Sequence, residues 1–346
     1  MINGVINVYK EAGFTSHDVV AKLRGIVHQK RIGHTGTLDP EAVGVLPVCF
    51  GKATRVTDIL TDETKTYEAV MLLGTDTDTQ DKTGRVLRQQ EVSCTEDEIR
   101  EVLKSFEGDQ MQVPPMYSAL KVNGKKLYEL AREGKTVERA PRPVHFYEIR
   151  ALSFDLPRVT MRVVCSRGTY IRTLCHDIGE KLGCGGCMEH LTRTRVGIFK
   201  EEDALTLGKI AEIAAENRLK DIVIPTDQVF SGIPSVSTGN EGDVLAHNGN
   251  KIPTGMLSDV MTQISEMPFT GEVRLYDSVG IFTGLYRVNE DRSMLMPVRM
   301  FYDPADVMVD ENPYVKFCGA GDGDAAVSSQ KKSDGNVRSR LQAERG

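Results

Sequence analysis

The chain has 346 residues, 40% of them hydrophobic and 27% charged, which places it among ordinary globular proteins with room for about two domains. No window offers the roughly 18 uncharged apolar residues of a membrane span, and the start, Gly4-Val5-Ile6-Asn7-Val8-Tyr9, carries no basic, apolar and cleavable leader, so a cytoplasmic location is expected. The net charge of -6 hides a division: residues 1–200 hold 29 Lys+Arg against 26 Asp+Glu (+3), residues 201–346 hold 14 against 23 (-9).

Taken in chain order, residues 4–9 read as a strand, and Ser16 is placed to cap a helix with Val20, Leu23 and Val27 on its apolar face. Residues 66–73 alternate, with Tyr67, Ala69, Met71 and Leu73 on one side, as in a strand covered on one face. Thr95 and Glu98 form a capping box for a helix bearing Ile99, Val102, Leu103 and Phe106 and closed by Gly108. Residues 114–142 follow with seven basic side chains (Lys121, Lys125, Lys126, Arg132, Lys135, Arg139, Arg142) against three glutamates, a strip suited to phosphates or simply a solvated basic loop.

Two β-rich runs, 145–154 and 158–165, flank Asp155-Leu156-Pro157 and predict a hairpin. Helices are expected after Tyr170 and over about 206–217. Strands and helices mix without βαβ alternation, so the class is α+β with a mixed, largely antiparallel central sheet. Short runs at 272–276, 279–288 and 294–300 predict a small C-terminal β-barrel. The expected division is therefore residues 1–227, a barrel over 228–302, and an extension over 303–346 whose composition predicts disorder from about 318.

Several signatures fail on closer reading. The seven cysteines are scattered and odd in number, so they read as thiols; Cys184 and Cys187 with His190 lack a fourth zinc ligand, and no metal is expected. Asp76, Asp78 and Asp81 resemble the start of a calcium loop, but Asp81 and Leu87 occupy the positions that need glycine and glutamate. The glycines of 319–323 have neither the strand nor the helix of a phosphate loop around them.

Two stretches remain. In RIGHTGTLDP, two glycines and a proline hold Asp39 in a stiff loop backed by an apolar run, although an aspartate before proline is more often a turn residue. In CSRGTYIR, Arg172 falls in the first turn of a helix, where it could orient a carboxylate from a facing loop or else lie at the surface.

The segment GHTGTLDPEAVGVLPVC resembles the catalytic-aspartate motif of TruB-type pseudouridine synthases. KTYEA, TDTDTQDKTG, PPMYSALKVNGKKLYELAREG, RGTYIRTLCHDIGEKLG and HLTRTRVG are similar to further pieces of that family in the same order, across nearly all of residues 4–200. Two departures stand out: Glu11 follows Lys10 where the family has proline, and Thr192 stands where arginine is common.

The resemblance implies a pseudouridine synthase fold with a PUA-like barrel and a cofactor-free isomerase acting on uridine 55 in the T-loop of tRNA, as a monomer. It makes Asp39 the nucleophile, Arg172 its ion-pair partner, and Tyr67 a stacking group and candidate carrier of the C5 proton. His34 would fill the gap left by a flipped base, and Tyr170 and Leu191 would shape the pocket. Lys10, Lys121, Lys125 and Lys126 would contact RNA. Attack at C1′, attack at C6 and assistance at C2′ all remain open for Asp39. A non-catalytic RNA-binding protein and a glycoside hydrolase are the rival classes, the latter normally needing two carboxylates.

Overall fold

The computed structural model describes residues 2–122, 124–258 and 271–302; the expectations for 303–346 lie outside this range. The first part of the chain forms strands β1 (Gly4–Lys10), β2 (Ile32–His34), β3 (Val43–Phe50), β4 (Lys65–Leu73), β5 (Thr75–Thr77), β6 (Val86–Gln89) and β7 (Gly108–Gln112). Two short strands, β8 (Lys121–Val122) and β9 (Lys125–Lys126), precede β10 (Arg142–Asp155), β11 (Arg158–Cys165), β12 (Gly186–Val196) and β13 (Phe199–Lys200). The helices among them are α1 (Ser16–Val27), α2 (Thr57–Asp62), α3 (Glu96–Ser105), α4 (Leu127–Arg132), α5 (Ile171–Lys181) and α6 (Leu207–Ala215).

Nine strands join in one sheet of order β1-β3-β12-β4-β11-β10-β7, with β2 paired to β3 and β13 to β12. Every pairing is antiparallel except β3 with β12, so the sheet is mixed and largely antiparallel, as expected. The parallel contact is tight. A Cβ on Gly44 would lie 2.3 Å from the Arg193 carbonyl oxygen, and its φ of +105° suits glycine.

The alternation read in β4 has the predicted consequence. Tyr67, Ala69, Met71 and Leu73 are all buried, packed with Ile99 and Leu103 of α3 and with Leu174 and Ile178 of α5. The hairpin β10–β11 forms, and Thr95 and Glu98 exchange both hydrogen bonds of their capping box. At the other end of the sheet, α1 and α6 cover β1 and β3 through Val19, Leu23 and Ile210.

One cap differs from expectation. Thr15, not Ser16, caps α1, in a reciprocal box with Asp18, because Ser16 is turned inward for another purpose.

Strands β14 (Ser235–Ser237), β15 (Ile252–Pro253), β16 (Glu272–Tyr276), β17 (Phe282–Val288) and β18 (Met294–Met300), with helix α7 (Asn240–His247), make a second sheet of order β14-β16-β17-β18-β15. Its ends meet through the bridge Thr238–Leu257, where Gly239 N–H donates to Met256 O at 2.8 Å and Ser258 N–H to Ser237 O at 3.0 Å. The sheet thus curls on itself into a small barrel. The run expected over 279–288 begins only at Phe282, since the Asp277 carboxylate accepts from the N–H groups of Val279 and Ile281 and holds a turn. Phe230, Phe282 and Phe301 pack the barrel against Val45, Val56 and Val196 of the main unit.

Candidate active site

Asp39 follows β2 on the stiff loop that returns into β3, and α5 faces it. Arg172, in the first turn of α5, closes a two-point fork on the carboxylate, with Nε 3.0 Å from Oδ2 and Nη2 3.2 Å from Oδ1. Planar bidentate geometry of this kind fixes both the charge and the direction of a carboxylate.

The guanidinium is itself fully engaged. Nη1 donates to Thr79 O (3.2 Å) and lies 3.4 Å from the Asp81 carboxylate, while Nη2 also donates to Tyr117 O (2.9 Å). Burial, the largest influence, raises the Asp39 carboxyl above the usual carboxylate range; the Arg172 charge opposes it, Asp81 adds to it and Lys10 opposes it. The Asp39 side chain is still 36% exposed, so a substrate in the cleft can reach the carboxylate that Arg172 holds.

The Asp39 loop is tied down from two further directions. Ser16 Oγ accepts from Leu38 N–H at 2.9 Å, and Lys10 Nζ donates to Pro40 O at 2.9 Å and to Glu11 O at 3.0 Å. Lys10, expected among the RNA contacts, is therefore a support: its side chain is 0% exposed, and burial brings its ammonium down to about 8.

Tyr67 is buried beside this centre. Burial raises its phenol, which stays protonated at neutral pH, and the Arg193 charge opposes that shift. Arg193, 1% exposed, donates from Nε to Val45 O at 2.7 Å. Its position follows from the close β3–β12 contact at Gly44.

His34 faces His17, Nε2 to Nδ1 at 3.2 Å, and burial lowers it to about 4, so it is neutral near pH 7. Tyr170 caps α5 with its backbone, and burial raises its phenol. Leu191 lines a cleft of about 350 Å³ together with Asp39, Ala42, Asp81, Lys82 and Met188, within the range of about 300–1,000 Å³ typical of ligand pockets. Asp39 and Leu191 thus line one cleft and Arg172 is joined to Asp39, whereas Tyr67 and Tyr170 are not among the lining residues.

Lys121, Lys125 and Lys126 lie apart, on the β8–β9 hairpin. Lys121 and Lys125 are exposed, and Lys126 Nζ reaches the Tyr128 hydroxyl at 3.2 Å. The sequence reading gave no site role to Asp81, Ser16, Arg193 or Gln112, although Asp81 and Arg193 stood in segments already singled out and Ser16 was read as a cap.

Among the described residues, Asp76, His176 and Glu180 are the group with metal-binding spacing, their ligand atoms lying within 4.8 Å of one another. Arg88 already bridges Asp76 and Glu180 with its own positive charge. The Cys187 thiol is pushed up to about 11 by burial, far from the thiolate a metal would take.

Comparison with known proteins gives the class. Residues 24–171 match the family described as "TruB family pseudouridylate synthase (N terminal domain)", and residues 172–231 match "tRNA pseudouridylate synthase B C-terminal domain". A protein of Lachnoclostridium phytofermentans named "tRNA pseudouridine synthase B" is 49% identical over 310 residues, 87% of this chain and 100% of its own. A protein of the same name from Alkaliphilus oremlandii is 44% identical over 84% of this chain and 95% of its own.

A solved structure of an H/ACA RNP bound to a substrate RNA containing 2′-deoxyuridine superposes with a TM-score of 0.66 at 27% identity, covering 87% of this chain and 85% of that one. The chain belongs to the TruB family of pseudouridylate synthases. It is an isomerase that turns uridine in RNA into pseudouridine.

Proposed function

We propose that the substrate is uridine 55 in the T-loop of tRNA and that Asp39 is the nucleophile. The observation that supports this most is the Asp39 carboxylate held at two points by Arg172, 3.0 and 3.2 Å away, at the edge of a cleft. The relatives' names supply the tRNA.

The reaction breaks the C1′–N1 bond, turns the uracil and joins C5 to C1′. N1 gains a proton and C5 loses one, so the product has the mass of the substrate. Asp39 provides the transient covalent partner that keeps the halves together. Arg172 neutralises and aims it.

Leaving the RNA stack costs the target base about a few kcal/mol. A stack on an aromatic ring such as Tyr67 returns about 1–3 kcal/mol, and His34, uncharged, is suited to enter the vacated space without an unpaired positive charge. The exposed Lys121 and Lys125 then follow the RNA backbone, and binding weakens with salt. On this reading residues 1–227 carry the chemistry, 228–302 form an RNA-binding PUA-like domain, and the monomer works in the cytoplasm.

The test is chemical mapping of pseudouridine in unmodified tRNA after incubation with the purified protein and no additive. Modification at uridine 55 alone supports the proposal, while release of free uracil would favour a glycoside hydrolase.

A further inference from the structure

Gln112 ends β7 at the root of the basic segment 114–142, yet its side chain turns inward and is 5% exposed. Its amide oxygen accepts from Tyr170 N–H at 2.8 Å, and its amide nitrogen donates to Tyr170 O at 3.0 Å. One side chain thus pairs with both backbone groups of one residue, as a neighbouring strand would. That residue is the N-cap of α5, which has no side-chain cap of its own. Arg172 lies two residues further on.

One more contact runs the same way: Tyr117 O accepts from Arg172 Nη2 at 2.9 Å. The root of the basic segment therefore holds the first turn of α5 by its backbone and by the guanidinium that grips Asp39.

We propose that Gln112 is a positioning residue for isomerisation: by clamping the Tyr170 peptide beside the Tyr117–Arg172 contact, it aligns the Arg172 fork on Asp39 with the root of the RNA-binding segment. This rests on the assignment of Asp39 and Arg172 made above. Without the amide, the Tyr170 N–H loses its partner and Tyr170 O keeps only the Leu174 N–H, so the peptide turns to find other partners. The first turn of α5 turns with it. A fork that meets its carboxylate at two points tolerates little displacement.

The experiment compares wild type, Gln112→Met, which keeps length and loses both hydrogen bonds, and Gln112→Glu, which keeps the acceptor for Tyr170 N–H. The readouts are single-turnover tritium release from C5-labelled tRNA, tRNA affinity and the pH dependence of the rate. In Gln112→Met the rate falls about 100-fold with affinity within about threefold, and Gln112→Glu recovers part of the loss. The groups facing Asp39 are Arg172, Asp81 and Lys10. A displaced Arg172 holds the carboxylate less firmly ionised, so the acid limb of the rate profile moves to higher pH.

A purely structural role would lower melting temperature and active fraction but leave the acid limb in place, and that result overturns the proposal. A rate within about twofold of wild type in Gln112→Met overturns it as well. Asp39→Asn is measured in parallel. If it is inactive while Gln112→Met is unimpaired, only the inference about Gln112 fails; if it is active, the assignment beneath both fails.

Discussion

Ser16 Oγ accepts the Leu38 N–H at 2.9 Å, a buried bond across 22 positions of sequence that fixes the residue immediately before Asp39. Removing it with Ser16→Ala leaves an unpaired buried N–H and costs about 1–3 kcal/mol of stability. The loop it frees carries the nucleophile, so turnover falls while tRNA affinity stays near wild type. Thermal unfolding and single-turnover kinetics on one preparation check both parts.

Arg172→Lys keeps the charge and loses the fork. A single ammonium cannot meet both oxygens of Asp39 and also satisfy Thr79 O, Tyr117 O and Asp81. The rate constant for tritium release is expected to fall about 100-fold or more, with tRNA binding little changed because the side chain is buried. Turnover equal to wild type would remove the ion pair from the mechanism.

His34 gives the protein a pH dependence of stability whose direction is fixed. Its folded-state value of about 4 lies below the ordinary 6.5, so between these values the unfolded chain binds more protons. Stability from the neutral imidazole is complete above about 6.5 and is lost as pH falls toward 4. In urea melts over that interval, His34→Gln is expected to lose less stability than wild type. Parallel losses in the two proteins would contradict this account.

What the chain revealed in advance depended on whether the signal was local. The β4 alternation, the Thr95–Glu98 box and the hairpin across Asp155-Leu156-Pro157 are short-range patterns, and each formed as read. Thr15 and Ser16 are equally good caps by type, and only the distant Leu38 decides which of them is free to serve. Lys10 has the residue type of a phosphate contact, but the fold closes over it and gives it two carbonyls instead. Asp81 first appeared as a ligand in a failed calcium loop, and it joins the site only because α5 brings Arg172 beside it. Arg193 stood in the HLTRTRVG segment without a role of its own and Gln112 in no quoted segment; their partners lie 148 and 58 positions away.

The central claim is that one carboxylate performs the covalent step, and replacing it by its amide isostere tests that most directly. Asp39→Asn preserves shape and removes the nucleophile's charge. Incubated with unmodified tRNA, it is expected to form no pseudouridine while binding tRNA within about tenfold of wild type, roughly 1.4 kcal/mol. Pseudouridine formed by that variant at a rate comparable to wild type would contradict the account.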